Sequence, residues 1–208
     1  LVAALVVVGG MLVVVLVVVA VGGLGLVLVD ILIIGAGISG IGVAAHLSQN
    51  CPQRSFEIIE RRQSFGGTWD LFQYPGIRSD SDMSTFGYNF KPWKKTNVLA
   101  DGASIKGYLA EVIQEKALHS KIHFQHRVLS ANYNSQTRNW TLRIENAAQQ
   151  IENWVANFVI GCTGYYNYDH GFQPDFPNQQ AFKGTFIHPQ HWPENLDYRG
   201  KKVLIIGS

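Results

Sequence analysis

The sequence predicts an α/β fold: a Rossmann-like domain whose parallel sheet is extended by a β-meander, followed by the first strand of a second Rossmann-like domain. Three observations lead there. Residues 30–60 read as strand, glycine turn, helix and strand, a βαβ unit that implies a parallel sheet. Three segments of alternating polarity follow one another between Val128 and Ala156, separated by turn residues. Lys201–Ser208 repeats the apolar-then-glycine pattern of residues 30–35.

The first 29 residues stand apart, being 13 Val, 7 Leu, 5 Gly, 3 Ala and 1 Met with no polar side chain. Without them the mean hydropathy falls from +0.04 to roughly −0.4, an ordinary value for a water-soluble domain. The segment exceeds the ~20 apolar residues that span a bilayer. It lacks flanking Lys or Arg and a basic start, and Gly9-Gly10 and Gly22-Gly23 weaken it as a helix. It is expected to be a low-complexity extension foreign to the domain. A membrane anchor is the alternative, and an added core strand or helix is a third reading.

Asp30–Ile34 is a buried strand by its apolar run, and Ser39–Ser48 is a helix by its one-sided apolar pattern. Ser55–Glu60 is the second strand, and residues 61–97 are loop-rich, a length that points to function. Ser104–Leu118 reads as an amphipathic helix and Ile122–Phe124 as a short strand. Val128–Tyr133, Trp140–Glu145 and Ile151–Ala156 form the meander, and Phe158–Cys162 is a further, separate strand. A net charge of +2 with 15% charged residues gives no reason to expect a nucleic-acid partner. Two cysteines 111 positions apart exclude a disulfide framework or a Cys-rich zinc site and suit a reducing, cytoplasmic setting. Membrane association through residues 1–29 is the alternative location.

Gly35-Ala36-Gly37-Ile38-Ser39-Gly40 is a G-x-G-x-x-G loop between the first strand and the first helix. In such a loop Gly35 permits the tight turn, Gly37 lets backbone approach a pyrophosphate, and Gly40 lets helix and strand pack closely. The helix N-terminus offers free N–H groups to the anion, and Ser39 adds a hydroxyl. Glu60 lies 20 residues past Gly40, at the end of the second strand, where a carboxylate accepts ribose hydroxyls. Arg61 and Arg62 leave open a 2′-phosphate, hence NADP, in this site. His188 and His191 are spaced i, i+3, but Pro189 between them and the lack of a third ligand give no expectation of a metal.

Further motifs make the sequence resemble the class B flavoprotein monooxygenases, the family of the flavin-containing and Baeyer–Villiger enzymes. These are Gly66-Gly67-Thr68-Trp69, Tyr74-Pro75-Gly76-Ile77-Arg78-Ser79-Asp80-Ser81-Asp82, and Cys162-Thr163-Gly164-Tyr165-Tyr166. The segment from Phe182 to Pro193 fits the Baeyer–Villiger fingerprint F-x-G-x-x-x-H-x-x-x-W-P without a mismatch. The likeness is nearest to the ethionamide-activating type and to the flavin monooxygenases associated with long-chain alkanes.

The resemblance implies an FAD-binding domain over 30–168, a fingerprint linker over 169–200 and the start of an NADPH-binding domain over 201–208. It implies that Gly35, Gly37, Ser39 and Gly40 meet the FAD pyrophosphate and Glu60 the adenosine ribose. Gly67, Thr68 and Trp69 would lie along the ribityl and ring side, Asp80 near the flavin, and Val128 against the adenine. Arg78, Ser79, His188, Trp192 and Gly207 would serve the NADPH side. The implied reaction inserts one oxygen atom of O2, carried as a flavin C4a-peroxide, into a ketone or onto soft sulfur or nitrogen. The substrate would be a small apolar ketone, sulfide or amine. Asp80 would support an arginine that lies outside these residues, so the chain is expected to be an N-terminal piece of the enzyme and inactive alone. Against this, Asp70, Asp80 and Asp82 also read as a solvated acidic turn. A two-dinucleotide flavoprotein reductase and a membrane-anchored, non-catalytic FAD-binding module are the competing functions.

Overall fold

The computed structural model describes residues 4–8, 11–15 and 26–207. Within the apolar leader, β1 (Ala4–Val8) and β2 (Met11–Val15) pair antiparallel, Ala4 opposite Val15. The rest of the leader, up to residue 25, lies outside the described residues. No helix among the described residues is long and apolar enough to cross a membrane.

The main sheet has six strands in the order β5-β4-β3-β8-β7-β6. They are β3 (Leu26–Ile34), β4 (Phe56–Ile59), β5 (Ile122–His123), β6 (Arg127–Asn134), β7 (Asn139–Glu145) and β8 (Ile151–Gly161). The β5-β4-β3-β8 half is parallel and the β8-β7-β6 half antiparallel, so the expected parallel sheet with a meander is present. Helix α1 (Ile38–Asn50) connects β3 to β4. Two short helices, α2 (Thr68–Leu71) and α3 (Met83–Phe86), punctuate the long loop, and α4 (Gly102–Glu115) precedes β5.

Two sequence boundaries move, for one physical reason. β3 starts at Leu26 rather than Asp30, and β8 is continuous where two strands were expected. Val27 and Val29 face the same core cluster as Leu32 and Ile34, so the alternation slips by one residue between 29 and 32. On β8, Trp154 and Ala156 are followed on that face by Val159, the same slip at the paired level. Period-2 reading breaks at such a slip although the ladder continues. Asp30 and Asn157 sit at the break: the Asn157 amide donates to Asp30 Oδ1 at 3.2 Å, and the Ser55 N–H donates to Asp30 Oδ2 at 2.9 Å.

α4 is shifted from its expected 104–118. Asp101 caps it by accepting from the Ser104 N–H at 2.7 Å. Ala117, at φ +52°, turns the chain out of the helix, and the Leu118 N–H closes back on the Ile113 carbonyl at 2.9 Å. Leu118 therefore enters the core from a turn. Residues 201–207 show the pattern of β3 but form no strand, and Val203–Ile206 are exposed.

Ile31 and Ile33 pack on α1 and α4 through Ile41, Ala44, Leu109 and Val112, while Leu32 meets Leu142, Ile144 and Trp154 on the meander side. Both faces of β3 are thus buried. Leu32→Ala should cost about 2–5 kcal/mol in denaturant unfolding, with a cavity left between β3 and the meander. Leu204→Ala, at an 85% exposed residue, should stay within about 0.5 kcal/mol.

Candidate functional site

The C-terminal ends of β3, β4 and β8 meet at a cleft of about 550 Å³. From β3 the chain turns to α1 on one side, and from β8 it continues into residues 162–168 on the other. This is the switch point at which α/β sheets bind ligands. Gly35 makes the turn at φ +108°, and a Cβ there would lie 2.4 Å from the Cys162 carbonyl oxygen. A Cβ on Gly40 would lie 1.9 Å from the Gly35 carbonyl oxygen. Both positions therefore exclude side chains. Gly37 caps α1 without a side-chain bond, so the first-turn N–H groups remain for an anion or water. Ser39 is exposed and lines the cleft beside them.

Glu60 is only 5% exposed. Its Oε2 accepts from the Ala36 N–H and its Oε1 from the Arg62 N–H, both at 2.8 Å. Each oxygen has one backbone donor and lone pairs to spare, and the residue lines the cleft. That acceptor set fits the two hydroxyls of a ribose. Burial pushes the carboxyl pKa up against these two backbone bonds.

Arg61 and Arg62 are committed elsewhere. Arg61 pairs with Asp169, and Arg62 makes a two-bond fork to Asp70 Oδ2, at 3.0 Å from Nε and 2.7 Å from Nη2. The 2′-phosphate alternative loses its guanidinium groups to these carboxylates. Asp70 is no solvated turn residue: it is 6% exposed and is also paired with Lys106. Burial raises its pKa, but the Lys106 and Arg62 bonds outweigh this and hold the carboxyl below its ordinary 3.8. Asp82 caps α3 through the Thr85 N–H at 2.9 Å.

The structure brings Gly35, Gly37, Ser39, Glu60, Gly67, Thr68, Trp69 and Val128 to the cleft lining, with Gly40 behind the turn. Trp69 also packs edge-on to Phe86, with ring centroids 6.0 Å apart. The other expected residues lie outside the lining. Arg78 and Asp80 are exposed. Ser79 is buried, and its hydroxyl donates to the Ser81 carbonyl at 2.8 Å. His188 Nδ1 accepts from the Gln190 N–H at 3.2 Å, and Trp192 meets Tyr198 edge-on at 5.9 Å. Gly207 is exposed at φ +118°.

Sequence reasoning singled out Cys162–Tyr166 as a family motif but gave neither it nor Asn167 and Tyr168 a place in the cleft wall. Residues 162–168 run along it, with the Tyr168 ring 5.9 Å from each of the Arg61 and Arg62 guanidinium carbons. The available signal was Thr163-Gly164 directly after an apolar strand, which marks a strand end at the same level as Gly35.

A family model described as flavin-binding monooxygenase-like matches residues 29–208. The chain belongs to the flavin-binding monooxygenase-like family. A probable FAD-binding monooxygenase, AlmA, of Acinetobacter baylyi is 72% identical over 180 residues, which is 86% of this chain and 36% of that protein. The FAD-containing monooxygenase EthA of Mycolicibacterium smegmatis is 52% identical over 179 residues, with the same shares covered. The chain thus spans about a third of the length of these relatives. Among solved structures, OTEMO in complex with FAD and NADP superposes with a TM-score of 0.68 at 27% identity, over 84% of this chain and 33% of that one. In this flavin-binding monooxygenase-like chain, the cleft at the glycine loop combines the open N–H groups of α1 with the buried Glu60 carboxylate.

The Asp70 cluster holds the loop under that cleft, so its titration should be visible in stability. A depressed carboxyl contributes stability that is fully present above pH 3.8 and is lost as pH falls through the lower native value. Asp70→Asn should lower stability at pH 7 by about 1–3 kcal/mol, because Arg62 and Lys106 keep partial access to water. Urea melts across pH 2–7 should show a smaller acid-side loss in the variant.

Proposed function

We propose that this chain carries the FAD-binding part of an NADPH-dependent flavin monooxygenase that transfers one oxygen atom of O2 to a small apolar ketone, sulfide or amine. The observation that carries the reading is the cradle formed by the uncapped N-terminus of α1 and the doubly anchored Glu60 carboxylate on one cleft. Membership of the flavin-binding monooxygenase-like family and relatives named as FAD-containing monooxygenases support it. Bound FAD supplies the redox chemistry that activates O2.

The chain's own residues bind and orient. The α1 N–H groups with Ser39 hold the pyrophosphate, Glu60 accepts both ribose hydroxyls, and the backbone at Val128 meets the adenine. Gly67, Thr68 and Trp69 flank the ribityl chain and the ring, where the indole excludes water. Arg78 is the exposed cation available to the nicotinamide nucleotide, and Asp80 beside it is the carboxylate that would orient an arginine from elsewhere in the enzyme. Residues 182–193 and Gly207 belong to the NADPH side. The reductase alternative would need a redox pair of thiols, whereas Cys51 and Cys162 are both free and sit at the end of α1 and of β8.

Titration of the chain with FAD, followed by quenching of flavin fluorescence, tests the reading. Glu60→Gln should weaken FAD by about 10- to 100-fold, the worth of a charge-assisted acceptor. Wild-type affinity should fall as pH drops through the raised Glu60 pKa, and the variant should lack that step. Tighter binding of NADPH than of FAD would overturn the assignment.

In the complete enzyme, Asp80→Ala should leave FAD affinity unchanged, since the residue is outside the cleft lining. It should slow oxygenation by about 10²–10³, the cost of one element of an anion-stabilising site, and raise NADPH consumed per product formed. Unchanged coupling, measured as product against NADPH, would reduce Asp80 to a solvated loop residue.

A further inference from the structure

Gln190 is the anomaly of the 169–207 segment. The residues around it are mostly exposed, yet it is 7% exposed. It is one of four buried polar residues among those described, the others being Glu60, Asp70 and Ser79. Burying a primary amide in an otherwise exposed segment is unfavourable unless its hydrogen bonds are met.

Its partners define a chain of contacts into the cleft. The side-chain Nε2 donates to the Asn167 carbonyl at 2.7 Å. The backbone N–H of Gln190 donates to His188 Nδ1 at 3.2 Å, and the His191 N–H donates to the His188 carbonyl at 2.9 Å. These bonds fix the short turn Pro189–His191 that presents Gln190. The His188 ring lies directly on Gly171, where any Cβ would come within 2.0 Å of it. Asn167 in turn uses its side-chain Oδ1 to accept from the Asp169 N–H at 2.9 Å, and Asp169 is the residue paired with Arg61. Arg61 directly follows Glu60. Asn167 and Tyr168 are cleft-lining residues.

We propose that Gln190 is a positioning residue for the dinucleotide cleft: its bond to Asn167 lets the 182–193 segment hold the 163–169 strap against the cleft and so sets how fast FAD leaves. The strap belongs to neither sheet nor helix. Cys162, at its start, is tied to β3 by its N–H on the Ile34 carbonyl at 2.8 Å. Besides the packing of Tyr166 on Phe72 and of Tyr168 on Arg61 and Arg62, its far end has two hydrogen-bond ties from side chains outside it among the described residues, Arg61 on Asp169 and Gln190 on the Asn167 carbonyl. The first tie is exposed and weakened by salt. The second is part-buried and joins neutral groups, so salt does not weaken it. A shift of the 182–193 segment therefore reaches the strap through Gln190.

The inference rests on FAD occupying the cleft, and the experiment separates the two. The wild-type chain and the variants Gln190→Glu and Gln190→Met are loaded with FAD. Release is then followed by the recovery of flavin fluorescence on dilution, at pH 8 and pH 5. An ionised Glu at 190 cannot donate to a carbonyl, whereas a protonated one can. Gln190→Glu should release FAD about tenfold faster than wild type at pH 8, as expected for a lost buried donor, and approach the wild-type rate at pH 5. Gln190→Met should be faster at both pH values. The melting temperature of each variant without FAD should stay within a few degrees of wild type, since Gln190 lies outside the core clusters.

If wild type holds FAD and Gln190→Glu releases it at the wild-type rate at pH 8, Gln190 does not position the strap, while the FAD reading stands. If Gln190→Met recovers at pH 5 as Gln190→Glu does, the donor to Asn167 is not the cause and the inference falls. If wild type does not bind FAD, the functional reading fails and the inference with it.

Discussion

The pairing of β3 with β8 is the contact on which the site depends. The two strands are parallel neighbours from Leu26 opposite Asn153 to Ile34 opposite Gly161, although more than a hundred residues separate them in the chain. Their ends are so close that Gly35 can carry no side chain, because the Cys162 carbonyl occupies the space. Beyond that point the chain from β3 folds into α1 and the chain from β8 becomes the strap. The cleft is the gap between these two departures. A glycine loop and helix attached to a differently ordered sheet would present the same N–H groups without an opposing wall.

The charges around the Glu60 end of the cleft are arranged mostly in pairs. Seven charged side chains lie in or beside its lining: Glu60, Arg61, Arg62, Asp70, Lys106, Arg127 and Asp169. Four of the other six form the pairs Arg61 with Asp169 and Arg62 with Asp70, Lys106 shares Asp70, and Arg127 is exposed on the rim. Glu60 is left with backbone donors only. An ionised carboxylate in that position has lone pairs free to accept hydroxyls, which is what the proposed FAD reading asks of it. The same pairs anchor the loop carrying Gly67, Thr68 and Trp69 to α4, because Lys106 lies on that helix. The paired charges thus serve as scaffold beneath the cleft.

What could be read from the sequence was what is local in it. The βαβ unit of residues 30–60 needs only neighbours a few residues apart, and the glycine loop and Glu60 fall where spacing places them. The family motifs added Gly67, Thr68, Trp69 and Val128, which line the cleft. Contacts made over long separations were not legible. Asp70 looked like a surface turn until Arg62 and Lys106 closed on it. Tyr168 and Gln190 have no signature of their own, since their roles come from a strap that only the β3–β8 pairing puts in place. The continuity of β8 was hidden because Asn157 interrupts the alternation at the level where Asp30 interrupts it on β3.

Residues 203–207 and 31–35 separate the local contribution from the non-local one. Val203-Leu204-Ile205-Ile206-Gly207 and Ile31-Leu32-Ile33-Ile34-Gly35 share an apolar run ended by glycine. The two glycines adopt nearly the same backbone, φ +118° at Gly207 and +108° at Gly35. A turn preference of this kind belongs to the glycine and its immediate neighbours. The apolar runs differ completely: Leu32 and Ile33 are fully buried, whereas Leu204 and Ile205 are more than 80% exposed. Residues 31–34 lie between β4 and β8, which satisfy their backbone groups and cover both faces. Residues 203–206 have no such neighbours among the described residues. The pattern therefore specifies a strand only as far as it supplies faces to bury, and hydrogen-bonded neighbours on both sides turn it into one.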